Sequence, residues 1–121
     1  MLSNAQLRAF QKYINSANNN MSVLITEQYM REKLAKQPVL AILRGLDTSS
    51  ALAISMALYH RGIQVIEVPL THENAFDVIR LLVKNRPADC LIGAGTVTTV
   101  AQVDKLARIG VSFIVSPNTD A

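Results

Sequence analysis

Two stretches of this chain follow one plan. Gly62-Ile63-Gln64-Val65-Ile66-Glu67-Val68 and Gly110-Val111-Ser112-Phe113-Ile114-Val115-Ser116 each place a glycine directly before an apolar run. A glycine there ends a helix in the left-handed conformation without a Cβ clash, so each stretch reads as a helix stop followed by a strand. Two further apolar runs, Val39–Leu43 and Leu91–Gly93 continuing toward Val97, join the series. The four begin at Val39, Ile63, Leu91 and Val111, roughly 20–28 residues apart, which is the spacing of right-handed βαβ units. Between them the patterns predict helices over Ser49–His60, introduced by Asp47-Thr48 and closed by Gly62, and over Glu73–Asn85, ended by Arg86-Pro87. A third runs from Thr98 or Thr99 as cap through Ile109. A short helix over Thr26–Ala35, with Met30 and Leu34 on one face, precedes the series. This is the α/β class: parallel strands with helices between them, as an open sandwich or as half of a (β/α)₈ barrel.

The bulk properties narrow what such a domain does. The chain has 121 residues, enough for one core, with half of them hydrophobic, 5% aromatic and no tryptophan. That suits an aliphatic core. No apolar run approaches the roughly 20 residues of a membrane span. A single cysteine, Cys90, forms no internal disulfide, so a reducing, cytoplasmic setting is expected, with Cys90 as a small buried filler. Residues 1–37 hold five Lys/Arg against two Glu, whereas residues 38–121 hold seven of each sign. The globular part is therefore neutral and offers no basic stripe for nucleic acid.

The chain divides into an N-terminal extension, residues 1–20, and a domain spanning 21–121. In the extension Ser3-Asn4-Ala5-Gln6 has capping-box spacing, with Leu7, Phe10 and Ile14 on one helical face. The polar run Asn15–Asn20 then reads as a linker, and Met21 offers an alternative start. Arg8 and Lys12 without any acid give a faint likeness to a transit peptide, but a plain extension is the preferred reading.

Glu67 is the main functional candidate. It interrupts a near-continuous apolar strand, Val65-Ile66-Glu67-Val68-Pro69-Leu70, where the corresponding place of the fourth strand holds Val115. A carboxylate in a strand buried on both faces has to be paired, protonated or hydrated. Two readings stay open: a general acid/base whose burial raises its pKa, or a structural ion pair with Arg44 on the next strand. Arg44, before Gly45, can also fork onto a substrate carboxylate or phosphate. Arg44, Glu67, Thr71, Thr96 and Pro117 all fall at strand C-terminal ends, the edge where both architectures bind ligands. Gly93-Ala94-Gly95-Thr96 allows close backbone approach, but it is neither a dinucleotide fingerprint nor a Walker loop. His60 and His72 show no metal-ligand spacing and read as surface or cap residues. Asp77 and Arg80 read as a solvated i, i+3 pair.

The strand ends also spell a family. Pro38-Val39-Leu40-Ala41-Ile42-Leu43-Arg44-Gly45, Val65 to Leu70, Leu91-Ile92-Gly93-Ala94-Gly95-Thr96-Val97 and Phe113-Ile114-Val115-Ser116-Pro117-Asn118 resemble the 2-keto-3-deoxy-6-phosphogluconate (KDPG) aldolase family. The Ile-Leu-Arg-Gly and Glu-Val-Pro-Leu forms resemble its 2-keto-3-deoxy-6-phosphogalactonate branch most. The resemblance implies a (β/α)₈ TIM barrel, of which this chain would be the N-terminal half, about four parallel βα units, truncated. It implies a metal-free, cofactor-free class I aldolase, commonly a homotrimer, that cleaves a phosphorylated keto-deoxy sugar acid to pyruvate and glyceraldehyde 3-phosphate. Glu67 then matches the proton-shuttling glutamate. Thr96, with Gly95, matches a substrate-contacting loop, and Pro117 a pocket wall. Phosphogluconate-type members often carry arginine where this chain has Thr71, so Arg44 is expected to supply the anion contact. The family's Schiff-base lysine, on its sixth strand, has no counterpart in these 121 residues: Lys12, Lys33, Lys36, Lys84 and Lys105 fall on the tail or on helices. The expectation is a catalytic base without its nucleophile, hence an inactive chain. The alternatives are a non-catalytic half barrel that assembles with itself or with a separate C-terminal half, and a different phosphate-handling barrel.

Overall fold

The apolar runs pair in parallel and in chain order. The computed structural model describes residues 2–3, 27–117 and 119–120. The expected helix through Leu7, Phe10 and Ile14, the linker 15–20, Met21, Thr26 and Asn118 lie outside the described residues. The described elements are β1 (Leu2–Ser3), α1 (Glu27–Lys36), β2 (Ala41–Ile42), α2 (Thr48–His60), β3 (Val65–Pro69), α3 (Ala75–Asn85), β4 (Leu91–Gly95), α4 (Val100–Ile109), β5 (Phe113–Ile114) and β6 (Thr119–Asp120). One four-stranded parallel sheet has the order β2-β3-β4-β5, and β1 pairs β6 in a separate two-residue parallel contact. Four βα units thus lie side by side in one sheet.

Helix boundaries follow from local chemistry. Asp47 caps α2 by accepting a bond from the Ser50 amide at 2.7 Å. Thr99 and Gln102 form a reciprocal capping box at the start of α4, and Gly110, at φ 93°, closes it. Helix α3 starts at Ala75, two residues after the expected Glu73. The reason is that Asn74 turns away to donate to the Leu46 carbonyl (2.8 Å), drawing its loop toward the β2–α2 loop. The regular strands β2 and β5 are shorter than the apolar runs predict. Even so, bonds from the Leu43 amide to Glu67 O (2.9 Å), the Ser112 amide to Ile92 O (2.7 Å) and the Val115 amide to Ala94 O (2.8 Å) continue the ladder beyond them.

Alternation decides which face each strand residue serves. Ile66 and Val68 pack with Ala51, Val78, Ile79 and Leu82 in the main core between the sheet and the helices. Val65 and Leu91 face the other way, where Tyr29, Met30 and Leu34 of α1, with Leu40 and Phe113, cover them. Helix α1 is anchored there as well, Lys33 Nζ donating to Gln64 Oε1 (2.9 Å) while Gln64 and Tyr59 both bond Asp89 (2.9 and 2.7 Å). This closes the N-terminal half of that face and leaves the C-terminal half for the site. Cys90 is buried in the main core, as its composition-based reading expects, and burial pushes its thiol pKa up.

Ile66 is fully buried and Ile42, on edge strand β2, is 56% exposed. We therefore expect Ile66→Ala to cost about 2–5 kcal/mol in urea unfolding and Ile42→Ala to stay within about 1 kcal/mol. Equal costs would contradict this assignment of faces.

Candidate functional site

The parallel register sets the site. Ile42 pairs Glu67, Glu67 pairs Gly93, and Gly93 pairs Phe113, so these four form one row across the sheet. One step nearer the strand ends, Pro69 pairs Gly95, and the Leu43–Glu67 bond carries Arg44 to the same level. Glu67 shares a face with Val65 and Pro69, away from the main core.

The Glu67 side chain leans over β4. A Cβ built on Gly95 would overlap its carboxylate carbon and oxygens, so Gly95 is the bare seat on which the carboxylate rests. Glu67 is 6% exposed. No ion pair or hydrogen bond joins it to another described residue, so the structural pairing with Arg44 considered from the sequence does not form, and its oxygens keep contact with solvent, since no sealed polar side-chain atom among the described residues lacks a partner. Burial instead raises its pKa above the ordinary glutamate value, while the Arg44 guanidinium, acting from a distance, lowers it in part. The carboxyl is thereby biased toward its protonated form, which suits a group that both gives and takes a proton.

The other expected residues lie at or just beyond the ends of the same strands. Thr96 directly follows Gly95, is exposed, and has φ 55°, the only non-glycine among the described residues at positive φ. For a β-branched residue this costs on the order of 1–3 kcal/mol. Bonds on both sides impose it: Leu70 N–H donates to Gly95 O (2.9 Å) and Val97 N–H to Val115 O (3.2 Å). Strain held this way at a strand end makes Thr96 a candidate functional position. Arg44 is exposed at the end of β2, and Pro117 is exposed beyond β5. Thr71 is exposed too, its hydroxyl 3.1 Å from His72 Nδ1.

Sequence reasoning missed two features. His72, read there as a surface or cap residue, is exposed as expected, but its ring also lies against Gly45, whose φ is 69°. With Asn74 it braces the turn that carries Arg44. Phe113 was read only as a strand residue, yet a Cβ on Gly93 would overlap its ring. The signal for the seats at Gly93 and Gly95 was their i, i+2 spacing, which puts two missing side chains on one face of a strand. A groove of about 810 Å³ lies elsewhere, between α3 and α4, lined by Arg80, Val83, Lys84, Lys105, Arg108 and neighbours. It sits on the helical exterior and shares no residue with the strand-end cluster. The Asp77–Arg80 pair at its rim is exposed, as expected. No group of metal-ligating residues occurs among the described residues. No helix among them is long and apolar enough to cross a membrane.

Known proteins share this arrangement of sequence and fold. Residues 30–121 match the family model described as "Aldolase: KDPG and KHG aldolase". A Rhizobium meliloti protein named "Probable 2-dehydro-3-deoxy-6-phosphogalactonate aldolase" is 47% identical over 85 residues, covering 70% of this chain and 40% of that protein. A 2-dehydro-3-deoxy-phosphogluconate aldolase of Pseudoalteromonas atlantica is 37% identical over 87 residues, 72% of this chain and 40% of its own length. The solved KDPG aldolase of Legionella pneumophila, with pyruvate captured as a covalent carbinolamine intermediate, superposes with a TM-score of 0.66 at 35% identity. That match covers 73% of this chain and 42% of the Legionella chain. The chain thus spans about two fifths of the length of these relatives.

Two outcomes are expected. Gly95→Ala should destabilise the fold by about 1–3 kcal/mol through overlap with the carboxylate, and adding Glu67→Ala should recover most of that in a double-mutant cycle. Simple additivity would separate the two residues. The folded state also holds the Glu67 proton that the unfolded chain releases at the ordinary glutamate pKa. Stability should therefore fall as pH rises from that value through the raised folded one, and Glu67→Gln should flatten this part of the urea-midpoint profile.

Proposed function

The chain belongs to the KDPG and KHG aldolase family, and from that premise we propose that Glu67 is the proton shuttle of a class I carbon–carbon lyase. Its substrate is a phosphorylated 2-keto-3-deoxy sugar acid, cleaved to pyruvate and glyceraldehyde 3-phosphate. The observation that carries this reading is the unpaired carboxyl of the largely buried Glu67, resting on Gly95 beside the strained Thr96. A protonated carboxyl can give its proton to the departing hydroxyl of a carbinolamine, releasing water. As a carboxylate it then takes the proton of the substrate hydroxyl whose carbon–carbon bond breaks. The carbinolamine captured in the Legionella relative supports an amine nucleophile.

The nucleophilic amine is not among the described lysines. Lys33 and Lys36 stand on α1, Lys84 on α3 and Lys105 on α4, none on a strand, and Lys33 bonds Gln64 at the opposite end of the sheet from Arg44 and Thr96. In the complete enzyme Arg44 contacts the substrate's anionic end, Thr71 and Thr96 its hydroxyls, and Pro117 a wall of the pocket. The phosphogalactonate substrate is favoured over the phosphogluconate one by the higher identity to the Rhizobium protein and by Thr71 standing where arginine is common. A homotrimer working in the cytoplasm without metal or cofactor completes the reading.

The test is pyruvate release from 2-keto-3-deoxy-6-phosphogalactonate, with the phosphogluconate epimer alongside, by this chain joined to the remaining strands of the barrel. Glu67→Gln should lower kcat by roughly 10²–10⁴-fold with the fold intact. A variant within about twofold of the parent would remove Glu67 from the chemistry. The 121-residue chain treated with pyruvate and borohydride should keep its mass. An adduct on it would place the nucleophile among its own lysines and overturn the assignment.

A further inference from the structure

Gly93 and Gly95 stand two apart on β4 and present bare backbone on the same face of the sheet. Glu67 is level with Gly93 in the register, so its side chain has two seats available. One is directly across, over Gly93; the other is diagonal, over Gly95 and nearer the strand ends. The first seat is taken from the far side. Phe113, level with Gly93 on β5, lays its ring over it so closely that a single methyl there would overlap ring carbons. The ring is held from below, since Phe113 packs with the Val65–Leu91 cluster that α1 covers. Pro69, two residues on from Glu67, bounds its own strand on the same face.

We infer that Phe113 is a positioning residue for Glu67: by filling the seat over Gly93 it leaves the glutamate only the seat over Gly95, at the C-terminal end of the sheet. This deepens the role proposed for Glu67 and rests on it. The physical reason is packing. A bare glycine beside a flexible carboxylate side chain would otherwise be covered by that side chain, because an empty hollow loses contacts for everything that lines it. An aromatic ring fixed by its own core cluster occupies the hollow at little rotamer cost and leaves the longer reach as the only packed option. No charge from β4 or β5 competes in this choice: those strands bring Gly93, Gly95 and Phe113 to the face, and among the described residues Arg44 of the β2 end is the charged group that acts on the carboxyl.

Amide resonances of the 121-residue chain, followed across a pH series, test the inference. In the wild type the Gly95 amide should shift as Glu67 ionises, and Glu67→Gln should abolish that shift. In Phe113→Ala the pH response should move to the Gly93 amide as the carboxylate drops into the vacated seat. Phe113→Val, which keeps a strand-favouring apolar residue too short to cover Gly93, should do the same and carries the test if the alanine variant does not fold. Phe113→Met, long enough to cover Gly93, should leave the response on Gly95. A response that stays on Gly95 in the shortened variants overturns the role of Phe113. The readout needs no turnover, so an inactive enzyme would count against the aldolase reading and not against this one.

Discussion

The five-residue parallel pairing of β3 with β4 is the constraint on which the rest depends. Both strands are buried throughout, and their register is specified from Val65–Leu91 to Pro69–Gly95. A slip of one residue would turn Glu67 into the helix-facing core and expose Ile66 on the other face. The core between sheet and helices therefore enforces the register, and the register in turn sets Glu67 opposite one glycine and diagonal to another.

Those glycines decide where the carboxylate and the ring can lie. A side chain at position 95 would push the carboxylate out, and one at 93 would displace the ring of Phe113. With both absent, the carboxyl lies against backbone where burial favours its proton, and the guanidinium of Arg44 is too remote to neutralise it outright. The same strand end stores strain in Thr96, fixed by ladder bonds from Leu70 and Val97 that the neighbouring strands supply. The half of this face nearer the strand starts is filled by α1, so core and site divide one surface between them.

Much of this was legible in the letters. Alternating helix and strand patterns, helix-stopping glycines and capping residues such as Asp47 and Thr99 are local signals, and within residues 27–117 the elements they predict are present with boundaries displaced by a few residues. The displacement at α3 has a tertiary cause, since Asn74 bonds Leu46 in a neighbouring unit. Glu67 stood out because a charge in an apolar strand is a local anomaly. Its relation to Arg44 was not legible, because two residues on adjacent strand ends can pair or stand apart at the same sequence spacing. His72 was passed over for the same reason: its contact with Gly45 joins separate loops.

From sequence alone came the α/β class, the order of the four units, the edge of the sheet that carries the candidate site residues, and the family likeness that the relatives bear out. Each rests on periodicity, turn chemistry or motif, which the covalent chain carries within a few residues. Only the tertiary structure decided that Glu67 is unpaired, that it rests on Gly95, that Phe113 occupies Gly93, and that Thr96 is held in a left-handed conformation. Those facts depend on which side chains meet across neighbouring strands, and that is set by register and by the space glycine leaves.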